Sequence, residues 1–310
     1  MSLLLELGFW TQVLAGGVRL GVPVGLAALG ENVGQRSGVF NVGIEGTMAL
    51  GAFSGYAVTV ATGQPALGLL VGLAVGGVTG LLFGLATVWA RANQIVVGFA
   101  LALAGTGIST YLFRSVYASG APPLIATVPD WRVPGLARIP LIGGPLFGQT
   151  PLVYLLPAAA AALAFALHRT RVGLEVRASG EDPAAAEARG VRVRSVRTLA
   201  LSVAGALVGL AGAILSVGLV SGYQETITGG RGFVAIALVI VGRWRPWLIT
   251  AAALAFGTLQ SFQLRIQGTD VDLPSQLLTA LPFVATLLVM ALSGRGQGAP
   301  AALGRAQGGG

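Results

Sequence analysis

The sequence predicts an all-α polytopic membrane protein with about eight transmembrane helices, one half or re-entrant helix and one short cytoplasmic helix. Only 10% of its 310 residues are charged and 54% are hydrophobic, with a mean hydropathy of +0.80. Soluble domains carry about 25% charged residues. Apolar runs close to the ~20 residues that a membrane-crossing helix needs recur along the chain. The charged residues collect between these runs, as expected for loops outside a bilayer.

The residue types that are missing exclude several classes of site. Without cysteine, the chain has neither a disulfide framework nor a thiolate metal site. All 19 basic residues are arginine, so the Walker A lysine that contacts nucleotide phosphates is absent. His168 is the only histidine, and GAFSG (51–55) resembles an intramembrane serine-protease motif only loosely. We therefore expect no metal site, no bound cofactor and no catalytic residue.

Eight apolar runs predict full membrane spans. They lie at residues 12–30, 41–62, 65–90, 94–113, 151–168, 198–220, 248–264 and 275–292. Between the first two, ENVGQRSGVF (31–40) is expected to form a short polar connection. Residues 1–292 are therefore expected to form a single transmembrane domain, followed by a disordered cytoplasmic tail over 293–310.

Glycines recur at four-residue spacing in several spans. The first span carries three on one face and the third span carries a stripe of four: Gly17, Gly21 and Gly25, then Gly72, Gly76, Gly80 and Gly84. Small residues at this spacing let neighbouring helices approach closely. We interpret these stripes as packing surfaces.

The apolar run from Phe233 to Val241 is too short to cross a bilayer. At 1.5 Å per residue it reaches only about half of the roughly 30 Å hydrocarbon core. It ends at GRWRPW (242–247), and glycines precede it. We expect a half-helix whose N–H groups point into the protein. Such an end can hold an anionic or strongly polar solute, or serve as a gate or plug.

A basic loop over residues 169–197 separates the fifth and sixth spans and contains a short helix signal. Asp182 suits the N-cap, Pro183 the first helical position and Gly190 the C′ position. Two turns of helix are marginally stable alone. The segment is either a docking element for another protein or an ordinary solvated loop with a helical turn.

Arginine counting sets the expected orientation. With the N-terminus outside, 13 arginines lie on the cytoplasmic side and five on the outer side, while Arg19 lies within the first span. The cytoplasmic set is Arg36, Arg91, the seven of the basic loop, Arg243, Arg245, Arg295 and Arg305. The positive-inside rule then places the basic loop and the C-terminus in the cytoplasm.

Polar side chains in or beside the spans are candidate pathway residues. Glu45 stands out, because an ionisable residue in a span costs roughly 2.5–3.5 kcal/mol at the helix centre. It either lines a translocation path or pairs internally, for example with Arg36 or Arg91. The neutral candidates are Asn41, Asn93, Gln94 and Gln260, which can equally hydrogen bond between helices.

Three segments resemble one transporter family. They are GENVGQRSGVFNVGIEGTMALGAFSGY (30–56), GLEVRASGEDPAAAEARGVRVRSVRTLALSVAGALVGLAGA (173–213), and GRGFVAIALVIVGRWRPW (230–247) with FGTLQSFQLRIQ (256–267). In this order they resemble the permease subunits of bacterial ABC importers for nucleosides and simple sugars, in the branched-chain amino acid and ribose permease superfamily. Within this family, the chain resembles the shorter permease of a two-permease nucleoside importer.

The resemblance implies a non-catalytic subunit in the bacterial plasma (inner) membrane. A separate cytoplasmic ATPase would bind ATP and Mg²⁺ and receive a coupling helix of this chain. That helix would comprise Glu181, Asp182, Pro183, Ala184, Ala185, Ala186, Glu187, Arg189 and Gly190. An external binding protein would deliver substrate, and a second related permease would complete the pathway, which favours a heterodimer over a homodimer.

Substrate and mechanism stay open at the level of the sequence. A nucleobase can stack on Phe53, Phe99, Phe233 or Tyr56, although each ring suits packing equally well. Of these, Phe53 and Phe233 join the candidate pathway residues. The alternative function is a stand-alone secondary transporter or channel for a small polar solute.

Overall fold

The computed structural model describes residues 7–117, 122–125, 128–132, 143–267, 275–292 and 298–304. These residues form helices in the order α1 (Leu7–Arg36), α2 (Ile44–Thr62), α3 (Pro65–Gly84), α4 (Gln94–Tyr117), α5 (Gly143–Phe147), α6 (Leu155–Arg169), α7 (Arg171–Glu181), α8 (Pro183–Ala188), α9 (Val193–Ala213), α10 (Arg231–Val241), α11 (Pro246–Gln267) and α12 (Ser275–Leu292). The only described strands, β1 (Trp131–Arg132) and β2 (Gly148–Gln149), form one antiparallel pair.

Short turns of other helix types extend three of these elements. The turn Leu85–Trp89 continues α3 and Ile214–Val220 continues α9, both as π-helix, while a 3₁₀ turn at Pro151–Tyr154 leads into α6. Six described helices, counted with these extensions, are long and apolar enough to cross a membrane. Together with α2 and α12, of 19 and 18 residues, they account for the eight predicted spans. The all-α polytopic fold is therefore confirmed.

Helix α1 is the centre of the bundle. Every residue from Gly21 to Gln35 is buried, and α11, α9, α10 and α6 all pack around it. The glycine face predicted for this helix lies against α11, where a Cβ on Gly21 would come within 2.7 Å of the Ala253 carbonyl oxygen. Only glycine allows this approach, so the first stripe is confirmed as a packing surface.

The glycine stripe of α3 packs against a second stripe on α9. A Cβ on Gly76 would lie 2.6 Å from the Gly209 Cα, and one on Gly205 would lie 2.8 Å from the Gly80 Cα. The two backbones therefore touch along this seam. Dispersion and close backbone packing hold helices together where lipid offers no hydrophobic driving force.

The polar connection expected at residues 31–40 is shorter than predicted. Helix α1 continues to Arg36, and only Ser37–Gly43 links it to α2. Glu31 and Gln35, which favoured a loop in the sequence, are 1% and 0% exposed and hydrogen bond to each other at 2.9 Å. Because their polar atoms find partners inside the protein, the helix can carry them through the core.

Helix α10 is the expected half-helix. Its 11 residues begin two positions before the predicted start, at Arg231, and span about 17 Å. A turn over 242–245 then joins it to α11, with Arg243 and Trp244 at φ of 50° and 55°. A left-handed conformation costs a non-glycine residue roughly 1–2 kcal/mol, so the surrounding contacts must hold this turn.

Part of the C-terminal tail is ordered, which differs from the disorder expected over 293–310. The amide of Ala302 donates to the Gly180 carbonyl at 2.9 Å, and the amide of Ala301 donates to the Glu181 carboxylate at 3.2 Å. Ala302 is buried. Residues 298–304 therefore lie against the junction of α7 and α8, while the rest of the tail lies outside the described residues.

Candidate functional site

The predicted short helix in the basic loop is present as α8. The Asp182 carboxylate accepts a hydrogen bond from the Ala185 amide at 3.0 Å, and Pro183 occupies the first turn. Gly190 follows the helix with φ of +83°. Apart from Pro183 and Ala186, the residues from Glu181 to Gly190 are exposed. The caps thus define a rigid, solvent-facing helix of two turns.

Helix α8 is fixed to the bundle through α7. A Cβ on Gly180 would collide with the Arg36 carbonyl oxygen, so the end of α7 lies directly against the end of α1. Arg197 of α9 is 3% exposed and donates to the carbonyl oxygens of Ser37 at 2.9 Å and Ser179 at 2.7 Å. A displacement of α8 would therefore be passed to α1, α7 and α9 together.

Glu45, the predicted intramembrane carboxylate, caps the half-helix. Its two oxygens accept hydrogen bonds from the amides of Gly230 and Gly232, each at 2.8 Å. These amides belong to the N-terminus of α10, where the partial positive charge of a helix end favours an anion. The structure shows Glu45 paired inside the protein, which is one of the two alternatives. Its partner is the N-terminus of α10 and not Arg36 or Arg91. The end expected to be open to a solute is occupied by a side chain of the protein.

A buried polar cluster lies between the end of α1 and the turn after α10. We call Glu31, Gln35, Asn41 and Trp244 the inner polar cluster. The Trp244 indole donates to Gln35 Oε1 at 2.7 Å, and the backbone N–H of Asn41 donates to Glu31 Oε1 at 3.2 Å. The guanidinium of neighbouring Arg36 donates to the Trp244 carbonyl oxygen at 3.0 Å. These bonds hold the strained turn against α1 and set where the half-helix ends.

The other polar pathway candidates are spread over two parts of the fold. Asn93 caps α4, since its Oδ1 accepts from the amides of Ile95 and Val96. Gln94 accepts from the Phe40 amide at 2.8 Å and so ties α4 to the α1–α2 connection that holds Asn41. Gln260 stands apart on α11, near the residues that pack against Gly16 and Gly17 of α1.

The aromatic candidates divide into a buried and an exposed pair. Phe53 and Tyr56 belong to a buried cluster around Tyr223, with ring centroids 5.6 and 6.1 Å from it. Burial raises the pKa of the Tyr223 phenol, so it stays neutral. In contrast, Phe99 is 51% exposed on α4 and Phe233 is 44% exposed on α10. Only this second pair has rings free to meet a solute, a lipid or another chain.

Sequence reasoning missed the inner polar cluster except for Asn41. The polar residues that interrupt the apolar run predict a loop at Glu31 and Gln35. A continuous helix would place Glu31 and Gln35 one turn apart on the same face, because residues four apart are neighbours on a helix surface. Nothing in the local sequence predicts the role of Trp244, since the residue that accepts from its indole, Gln35, lies about 200 residues away in the chain.

Comparison with known proteins gives consistent matches over most of the length. The chain is 37% identical over 270 residues to the putative glucose ABC transporter permease protein TsgC13 of Haloferax volcanii, covering 85% of this chain and 81% of the relative. It is 33% identical to the nucleoside ABC transporter permease protein NupC of Lactococcus lactis, covering 87% and 88%. It is 32% identical to the guanosine ABC transporter permease protein NupQ of Bacillus subtilis, covering 86% and 87%.

The last two organisms each contain a further, more distant relative. These are the nucleoside ABC transporter permease protein NupB, at 23% identity, and the guanosine ABC transporter permease protein NupP, at 25%. No solved structure matches the chain. A family model described as "branched-chain amino acid transport system / permease component" matches residues 13–292. With the multi-pass helical fold described above, the chain belongs to this family of membrane permeases.

Proposed function

We propose that this chain is the permease subunit of an ATP-driven importer for nucleosides or related simple sugars. The observation that carries the proposal is α8, a capped and exposed helix locked to three core helices. A helix of two turns gains little by itself, so its caps and anchoring fit a part that another protein grips. The names of the relatives at 32–37% identity support nucleosides and glucose as the substrate classes.

The partner that grips α8 is a cytoplasmic ATPase, which binds ATP and Mg²⁺. Residues Glu181 to Gly190 seat in its cleft, and closure of the ATPase moves α7 through Gly180 and α9 through Arg197. The permease itself performs no chemistry. Substrate arrives from an external binding protein at the surface of residues 114–150 and 221–231, of which 118–121, 126–127 and 133–142 lie outside the described residues. The assembly lies in the bacterial inner membrane.

A second, related permease completes the pathway. Two of the relatives come from organisms that also hold a more distant permease of the same named substrate class. This chain is closer to NupC and NupQ than to NupB and NupP, which favours a heterodimer. Phe233, whose ring is exposed, directly follows Gly232, which donates to the Glu45 carboxylate. We place the pathway along this face, with Glu45 positioning the half-helix.

Cross-linking from a single cysteine tests the docking of the ATPase. Because the chain has no cysteine, Glu187→Cys introduces a unique reactive site on the exposed face of α8. In membranes holding the assembled transporter, it should cross-link to the ATPase. Thr62→Cys, exposed at the far end of α2, serves as the control and should give no such product.

Uptake measurements test the coupling itself. Asp182→Ala removes the N-cap, which is worth about 1 kcal/mol to the helix. We expect uptake of radiolabelled guanosine or glucose to fall about fivefold, whereas Asp182→Asn, which keeps a capping oxygen, should retain most of it.

Deleting Asp182 to Arg189 should leave membrane insertion intact and abolish uptake. Normal uptake by this deletion would disprove the proposal, and gradient-driven uptake by the purified chain alone would establish the secondary transporter instead.

A further inference from the structure

A groove runs between α6 and α9 at the end of the molecule that carries α8. Helices α6 and α9 each pack against α1 and α7, and a cavity of about 620 Å³ remains between them. Val33 of α1 and Leu167 of α6 lie at its floor. Leu199 and Val203 form its α9 wall and are 58% and 41% exposed. The groove is therefore mainly apolar and open to the surface of the bundle.

The length of the groove corresponds to one leaflet of a bilayer. It extends along the chain of α9 from Arg192 to Val203. At 1.5 Å per residue this is roughly 16 Å, and half of a typical hydrocarbon core is about 15 Å. An extended acyl chain entering at the polar end would thus reach the middle of the membrane.

The mouth of the groove is polar and mainly basic. Thr170, Glu175 and Arg192 line it. Arg169 and Arg171 flank Thr170 in sequence, so three arginines lie at or next to the mouth against one carboxylate. All three arginines are exposed, and no salt bridge engages them within the described part of the chain. Basic pockets between transmembrane helices at this depth suit anionic lipid headgroups.

We propose that this groove binds one anionic phospholipid, with an acyl chain along α9 and its phosphate at Arg192. The apolar wall selects a hydrocarbon chain, and the net positive mouth selects an anionic headgroup over a zwitterionic one. The bound lipid would fill the gap between α6 and α9 directly beside the α7–α8 hairpin. It would therefore brace α9, one of the helices through which movement of α8 reaches the bundle.

Native mass spectrometry of the full-length protein tests this site. The protein is released from nanodiscs that hold equal amounts of phosphatidylglycerol and phosphatidylcholine. We expect one tightly held lipid, with phosphatidylglycerol retained about fivefold over phosphatidylcholine, the preference that one arginine near an anionic headgroup supports. Arg192→Gln should remove that preference, and Arg192→Lys should keep it. Arg194→Gln, two residues further along the chain and outside the groove lining, should behave as the unmodified protein.

A second substitution tests the apolar wall separately from the charge. Val203→Trp fills the groove and should abolish retention of both lipids, whereas Leu103→Trp, on the 76% exposed lipid face of α4, should change nothing. Size-exclusion profiles show that each variant is folded. Equal retention of the two lipids, displacement of the lipid by inorganic phosphate alone, or cross-linking of Val203→Cys to the second permease in the assembled transporter would each overturn the proposal.

Discussion

The Glu45 carboxylate satisfies two amides that would otherwise end a helix inside the membrane without partners. Both hydrogen bonds are 2.8 Å long and charge-assisted. Hydrogen bonds to charged groups contribute about 1.5–3 kcal/mol each in favourable sites. The same interaction excludes a solute anion from the N-terminus of α10, so Glu45 determines both the stability and the chemistry of the half-helix.

Replacing Glu45 should loosen α10 without unfolding the bundle. We expect Glu45→Ala to lower the free energy of unfolding by about 3 kcal/mol, the low end for two such hydrogen bonds, since both acceptors are lost. Glu45→Gln, which keeps one oxygen acceptor, should lose about half as much. Denaturant unfolding in detergent measures the loss, and hydrogen exchange at residues 230–234 locates it.

A matched carboxylate distinguishes the cap from a general effect of charge. Glu225 is paired with Arg114 at 2.7 Å on the exposed surface, and that hydrogen bond lowers the pKa of Glu225. Exposed pairs contribute little, so Glu225→Gln should leave hydrogen exchange at 230–234 unchanged. If Glu45→Ala also leaves these amides protected, α10 is not held by the carboxylate.

Trp244 is the second residue that holds the half-helix in place, through the hydrogen bond of its indole to Gln35. Trp244→Phe keeps an aromatic side chain, smaller than the indole, but removes the donor to buried Gln35, leaving a buried acceptor without its partner. This should cost about 1–3 kcal/mol of stability. Trp247→Phe, whose side chain is 54% exposed, should cost less than about 0.5 kcal/mol. Equal thermal shifts for the two variants would argue against a role for the hydrogen bond.

Single residues were predictable only where their cause is local. The cap of Asp182 on Ala185 follows from three residues of sequence and was predicted in full. Glu45 was identified because an acid in an apolar run needs a partner, but its partner 185 positions away could not be named. The sequence places Glu31 in a connection, because its burial depends on contacts with Gln35 and with Asn41 of the α1–α2 connection that the local sequence does not reveal.

At the scale of elements, close helix packing rests on the glycine seam between α3 and α9. Gly76 and Gly77 are adjacent on α3 and differ only in what they face. A Cβ on Gly76 would lie 2.6 Å from the Gly209 Cα, whereas the nearest atom to a Cβ on Gly77 is 3.6 Å away. The pair therefore separates the cost of a steric clash from the intrinsic preference of alanine for helices.

Alanine substitutions at this pair should have opposite effects. Both gain about 0.5–1 kcal/mol of helix propensity over glycine. Gly76→Ala should nevertheless be destabilising by about 1–3 kcal/mol, because overpacking forces the backbones apart. Gly77→Ala should be neutral or slightly stabilising. Thermal unfolding of the two proteins in the same detergent measures the difference, and equal melting temperatures would mean that the seam is not rigid.

The existence of each long helix was predictable, while its ends and neighbours were not. Apolar length alone located all eight spans and the half-helix. The continuation of α1 to Arg36 was missed, because buried polar pairs can extend a helix where composition suggests a loop. The stripes indicated which face of α3 packs closely, yet the match between Gly76 and Gly209 required the three-dimensional arrangement.

At the scale of the whole molecule, the described contacts divide the polar groups between two ends. At the end beside α8, Arg197 donates a hydrogen bond to the Ser37 carbonyl oxygen and Arg36 donates one to the Trp244 carbonyl oxygen. At the other end lie salt bridges such as Arg19 with Asp130 and Arg114 with Glu225. The pairs at the end beside α8 include arginines that counting assigns to the cytoplasm. Sequence and fold therefore agree on which groups share a side, and the positive-inside rule alone decides which side is inside.

Accessibility of single cysteines to a membrane-impermeant maleimide tests this orientation. Ala188→Cys on α8 and Gln64→Cys between α2 and α3 are exposed positions at opposite ends. In right-side-out vesicles, the cysteine at 64 should be labelled at once, and the cysteine at 188 only after the membrane is permeabilised. The unsubstituted chain has no cysteine and supplies the blank. The reverse labelling order would place α8 outside the cell, where no ATPase can reach it. It would also mean that an excess of 13 arginines over five does not orient this bundle.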